Sequence, residues 1–138
     1  MNPYQAYKQQ KQPTLSRVDL IISLYRKGLD RIERAESFLN QNRADAARPL
    51  LTDAQLIFAS LASGMAGSTD ASAINFFRLY EFVCHKITQG AIGDLRAARK
   101  VLVPLLEAFE SVREQAAMME AQGSIPPLDQ ERQVLVTI

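Results

Sequence analysis

The sequence predicts an all-α protein: an antiparallel up-and-down four-helix bundle with a short N-terminal arm and an irregular C-terminal tail. Three observations carry this expectation. Val18, Tyr25, Ile32 and Leu39 recur every seven residues, with Leu15, Ile22 and Leu29 beside them at the same interval, which is the apolar stripe of a bundle helix. Leu95, Ala98, Leu102, Leu105, Phe109, Val112, Ala116 and Met119 alternate at spacings of three and four without a break, so one long helix closes the domain. No segment alternates with the period of two that a strand requires, and no solenoid repeat is present; four amphipathic helices with short connections pack as an up-and-down bundle.

Taken in order, residues 1–13 form a polar arm rich in Gln and Lys between Pro3 and Pro13. Tyr4 and Tyr7 interrupt it, and on one turn of helix they would share a face. Thr14 or Ser16 is placed to cap the first helix, which the pattern carries to about Asn40. The segment NQNRAD ends it. A second helix is expected from near Asp45, with Pro49 tolerable within its first turn and Ala47, Leu50, Ala54, Ile57, Leu61 and Met65 as its stripe. SGMAGSTDAS, residues 63–72, supplies a loop and a cap for the third helix.

That third helix contains AINFFRLYEFVC, Ala73 to Cys84, in which nine of twelve residues are apolar and four are aromatic. Phe76, Tyr80, Val83 and Ile87 make one stripe, and Phe77, Cys84 and Ala91 a second; Leu79 and Phe82 lie off both. A helix apolar nearly all round is covered on most sides, by its own domain or by its domain plus a partner. It stops near Gln89 and Gly90. In the fourth helix Pro104 removes a backbone donor and predicts a bend near Val101 to Pro104. Gly123 and Pro126-Pro127 then end regular structure, so the bundle domain spans 14–122 and the tail 123–138.

At 138 residues, with 47% hydrophobic and 22% charged residues, the chain is sized for one soluble globular domain. Net charge is +1, and the aromatics lie in apolar runs rather than among Lys and Arg, which gives no nucleic-acid footprint. Cys84 is the single cysteine, excluding an internal disulfide and reading as a small buried hydrophobe. The absence of a signal-like apolar segment at the start, or of a long apolar run anywhere, leads to the expectation of a cytoplasmic protein without membrane insertion.

Catalysis requires converging polar groups, and the pattern supplies none. His85 is the one histidine; it neighbours Cys84, but adjacent helical residues point about 100° apart and do not form a nucleophile and base pair. A di-metal bundle site needs two Glu-x-x-His pairs. Glu33 and Glu36 sit among Arg31 and Arg34, as on a solvated helix face. No phosphate-cradling glycine loop occurs. The expectation is therefore a non-enzyme with no metal and no cofactor. What remains is surplus apolar surface: Leu20, Leu24, Leu56, Leu79 and Phe82, with Tyr4 and Tyr7, exceed what a four-helix core needs. Such a set suits grooves that receive a peptide.

Four segments in order carry a resemblance: the arm NPYQAY (Asn2–Tyr7), LIISLY (Leu20–Tyr25), Ala54-Gln55 followed by Ile57 and Leu61, and NFFRLYEFV (Asn75–Val83). Over roughly residues 2–115 the chain resembles the FliS family of flagellin-export chaperones. The resemblance implies a helical bundle that binds the disordered C-terminal segment of flagellin, prevents premature polymerisation, and hands the subunit to the flagellar export gate. By position, Tyr4 and Tyr7 match the family's tyrosine arm, which would cover a groove when no client is bound. Leu24-Tyr25, Ala54-Gln55, Ile57, Asn75 and Leu79-Tyr80 match its characteristic positions, with Gln55 and Asn75 placed to satisfy client backbone groups. Joined to the surplus set, the expected partner-binding residues are Tyr4, Tyr7, Leu20, Leu24, Tyr25, Gln55, Leu56, Ile57, Asn75, Leu79, Tyr80 and Phe82.

The chain departs from the family in several places. Arg26-Lys27 follow the first Leu-Tyr where an acidic residue and glycine are usual, and Phe109 stands for a tryptophan. Pro104 and the apolar tail VLVTI (Val134–Ile138) are also atypical, and the tail suggests a segment that occupies a client groove in the free protein. The alternative to a chaperone is a structural bundle whose surplus surface forms a homodimer, and the chain is expected to be a monomer or a weak homodimer.

Overall fold

Each predicted stripe finds a helix. A computed structural model describes residues 17–123, in which α1 spans Arg17–Asn40, α2 Ala44–Ser63, α3 Ala71–Gln89 and α4 Ile92–Ala121. Tyr4, Tyr7, the caps proposed at Thr14 and Ser16, and VLVTI lie outside the described residues. No strand occurs among the described residues.

The helices pack in a ring, α1 on α2, α2 on α3, α3 on α4 and α4 on α1, as short antiparallel connections demand. The connections are built from local chemistry. After α1, Asn42 takes a positive φ of 58°, a conformation asparagine adopts at low cost, and the N–H of Arg43 donates to the Phe38 carbonyl at 2.8 Å. Asp70 caps α3, its carboxylate accepting from the Ser72 and Ala73 amides at 2.8 and 3.3 Å, which satisfies donors that no turn of helix can. Gly90, at φ 72°, closes α3 in the left-handed conformation that glycine alone takes freely, its amide donating to the Lys86 carbonyl.

The core follows the predicted stripes: Val18, Ile22, Tyr25, Ile32, Ala54, Phe58, Tyr80, Val83, Leu95, Ala98, Leu102 and Phe109 are among its fully enclosed members. At its centre Tyr25 stacks edge-on against Phe58 at 5.9 Å and lies 5.3 Å from Phe109. Its hydroxyl meets that of Tyr80 at 2.7 Å, which joins α1 to α3 across the ring and gives two buried hydroxyls a partner.

Several local expectations are revised. Pro49 lies beyond the first turn of α2 and faces solvent, where its ring meets water and only the Asp45 carbonyl loses an i+4 donor. Met65 follows the end of α2 in a turn yet remains buried. Phe77 and Cys84 are half-buried rather than interior, and Ala91 is exposed beyond α3. As expected, Pro104 lies inside α4, and it is exposed to solvent. Glu36 is the largest revision. It is buried, and Arg99 of α4 clamps it, Nε lying 2.6 Å from one carboxylate oxygen and Nη2 donating to the other at 3.0 Å.

Candidate partner-binding surface

The seams between helices are marked by contacts that fix which side of each helix faces which neighbour. Gly28 against the Phe58 ring and Arg31 beside Asp53 mark the α1/α2 seam. Gln55 donating to the Thr88 hydroxyl at 3.0 Å marks α2/α3. Lys86 with Asp94, and Phe76 against Phe109, mark α3/α4. Arg26 with Glu110, Asp19 with Arg113, and Glu36 with Arg99 mark α4/α1.

Against these markers the expected site residues fall into two patches and a remainder. Leu24 precedes Gly28 by four and Arg31 by seven, so it shares their face, and Leu20 lies one turn earlier on the same line. On α2, Ile57 follows Asp53 by four and Leu56 by three, which puts both along the same seam. Leu24 is 36% exposed and Leu56 63% exposed, whereas Leu20 and Ile57 are half-buried. This is the first patch. On α3, Leu79 and Phe82 precede the α3/α4 marker Lys86 by seven and four, and Asn75 precedes Leu79 by four. Phe82 is 40% exposed with the Lys86 ammonium 5.7 Å from its ring centroid; Asn75 is exposed and Leu79 half-buried against the core. This is the second patch, on the opposite side of the ring.

Tyr25 and Tyr80, also expected to meet the partner, lie within the core. Both are enclosed, at 0% and 1% exposure, where two bulky rings joined through their hydroxyls stabilise the core more than either would at the surface. Gln55 also stands apart, in a hollow of about 390 Å³ that Leu39, Leu51, Thr52, Ile87, Thr88 and Gly90 help to line. Beside it the Cys84 thiol lies 3.9 Å from the Gln55 carbonyl. Partial burial, with the Glu81 carboxylate nearby, holds this thiol above its ordinary pKa.

Three features escape a reading of the sequence. Gly28 lies inside a helix where glycine costs stability, and that anomaly is the available signal: a Cβ there would come within 2.5 Å of the Phe58 ring. Val103 and Met118 are exposed on α4, hidden when only the core stripe is followed. The Glu36–Arg99 clamp joins residues 63 apart, which no local spacing reports.

Among the described residues no group of His, Cys, Asp or Glu is arranged to hold a metal, and no helix is long and apolar enough to cross a membrane. No curated protein and no solved structure matches the chain. The family model described as "Flagellar protein FliS" matches residues 1–117. That span takes in α1, α2, α3 and most of α4, with both patches and the tyrosine pair of the core, and on that match the chain belongs to the FliS family of flagellar chaperones.

Proposed function

We propose that the protein is a cytoplasmic chaperone that holds the disordered C-terminal segment of flagellin against its two apolar patches, prevents that segment from starting polymerisation, and delivers the subunit to the flagellar export gate. What supports this over a homodimer is the placement of the patches on opposite seams of the ring. One isologous contact covers one face. A chain that leaves one seam and passes about two helix diameters, about 20 Å, to reach the other needs only about six extended residues, well within the reach of a disordered client. Such a client pays its ordering cost on binding, which keeps the complex releasable. Tyr4 and Tyr7 would cover one patch in the free protein, and Asn75 and Gln55 would meet client backbone groups.

The deciding experiment is a titration with a peptide of the last forty or so residues of the host's flagellin, followed by circular dichroism. Gain of helix is expected as the peptide folds on the bundle. No binding at high micromolar peptide would defeat the chaperone reading, and a stable dimer in sedimentation at low micromolar concentration, dissociated by Leu56→Glu, would replace it with the homodimer.

A further inference from the structure

The outer face of α4 carries a hollow of about 470 Å³ that belongs to neither patch. Arg96, Arg99, Lys100, Val103 and Pro104 line it. Arg96 and Lys100 are exposed, while Arg99 is held in place by its clamp on Glu36, so one wall of the hollow is fixed. Val103 is 37% exposed and with Pro104 supplies the apolar lining. Pro104 also has no amide hydrogen, so the Lys100 carbonyl has no i+4 donor in the helix. The hollow thus combines an apolar floor of Val103 and Pro104 with a basic rim of Arg96, Arg99 and Lys100.

We propose that the occupant is this chain's own segment Val134–Ile138, VLVTI, which lies outside the described residues. Three observations select it. The segment is uncharged and largely β-branched, a composition that pairs readily as a strand and is hazardous when left exposed. The chain can turn back: Gly123, at φ 73°, follows the end of α4, and a left-handed glycine there redirects the backbone. The lengths also agree. Val103 lies about 27 Å from the end of α4 at about 1.5 Å per residue, and residues 124–134 span at most about 36–40 Å when extended. VLVTI therefore reaches Val103 with roughly 10 Å to spare. This docking covers an aggregation-prone segment and leaves both patches open. It does not depend on the flagellin reading.

The test uses the full chain. A nitroxide is attached at Val136→Cys in a Cys84→Ser background, and amide intensities are compared before and after the nitroxide is reduced. Docking is expected to at least halve the intensities of Lys100 and Val103. Unchanged intensities there would overturn the proposal, as would broadening centred on Asn75 to Phe82. Broadening that appears only when label and isotope are on different molecules would also overturn it, in favour of a second copy as the occupant. A second arm uses Val103→Glu, on an exposed helical position where helix content is checked by circular dichroism. It is expected to remove the broadening and raise light scattering several-fold, and Val136→Asp in the same chain is expected to abolish the scattering. Scattering at the wild-type level in Val103→Glu, with broadening intact, would refute the assignment.

Discussion

At the scale of single residues, Gly28 shows how packing overrides local propensity. Alanine there would gain up to about 1 kcal/mol from backbone entropy and helix propensity. Its methyl group would also come 2.5 Å from two carbons of the Phe58 ring, and that ring is fully buried against Tyr25. Overpacking of this kind costs about 1–3 kcal/mol, so the clash wins. Gly28→Ala is expected to lower the urea midpoint without changing the slope; a raised midpoint would show that Phe58 has room to move. A second residue-scale test concerns Cys84. Because burial first and Glu81 second raise its pKa, the thiol stays protonated where an unfolded cysteine already ionises, and alkylation by iodoacetamide at pH 8.5 is expected to be several-fold slower in the folded protein than in urea. By the same linkage, the small stabilisation from this raised pKa is present below the unfolded pKa and is lost as pH rises through the folded one. Most enclosed residues of α1 and α4 are legible as sequence stripes. The roles of Gly28 and Glu36 are not, because each depends on one residue of another helix.

At the scale of the element, α3 is where sequence pattern and folded arrangement differ most informatively. Its all-round apolar character divides into a core stripe of Phe76, Tyr80, Val83 and Ile87, a half-buried flank of Phe77 and Cys84 on the α2 side, and the Leu79 to Phe82 edge on the α4 side. Period alone locates the stripe; which flank stays open depends on the neighbouring helices. Exposed Phe82 is therefore a cleaner probe than half-buried Leu79. Phe82→Glu is expected to leave the urea midpoint nearly unchanged and weaken flagellin peptide binding about 10–100-fold, as loss of about 1.5–3 kcal/mol of apolar burial predicts. Unaltered affinity in a folded variant would remove the α3/α4 patch from the client site. Between elements, the Glu36–Arg99 clamp ties α1 to α4. Arg99→Ala would leave the Glu36 carboxylate buried with a single distant cation, Arg96 at 3.9 Å. With Arg99 itself partly exposed, the expected loss is about 1–3 kcal/mol in urea unfolding, and Glu36→Ala combined with Arg99→Ala should cost less than the sum of the two.

At the scale of the whole molecule, fold class, helix number and order are legible in the amino-acid pattern, since each helix must hide a stripe and short connections permit few arrangements. The ring order is implied by the same connections. The division of exposed apolar groups between opposite seams is not, because it follows from how far each helix is rotated about its own axis. The Tyr25–Tyr80 bond has a consequence at this scale. Four helices packed mainly around a ring have one soft mode, in which a square cross-section leans into a rhombus, one diagonal shortening as the other lengthens. The hydroxyl pair, 2.7 Å apart on the α1–α3 diagonal, is a cross-brace against that lean. A double-mutant cycle of Tyr25→Phe and Tyr80→Phe should return a coupling of about 0.5–1.5 kcal/mol. Loss of the brace should also speed hydrogen exchange along α1 and α3 together, because a frame that leans moves both ends of the diagonal at once.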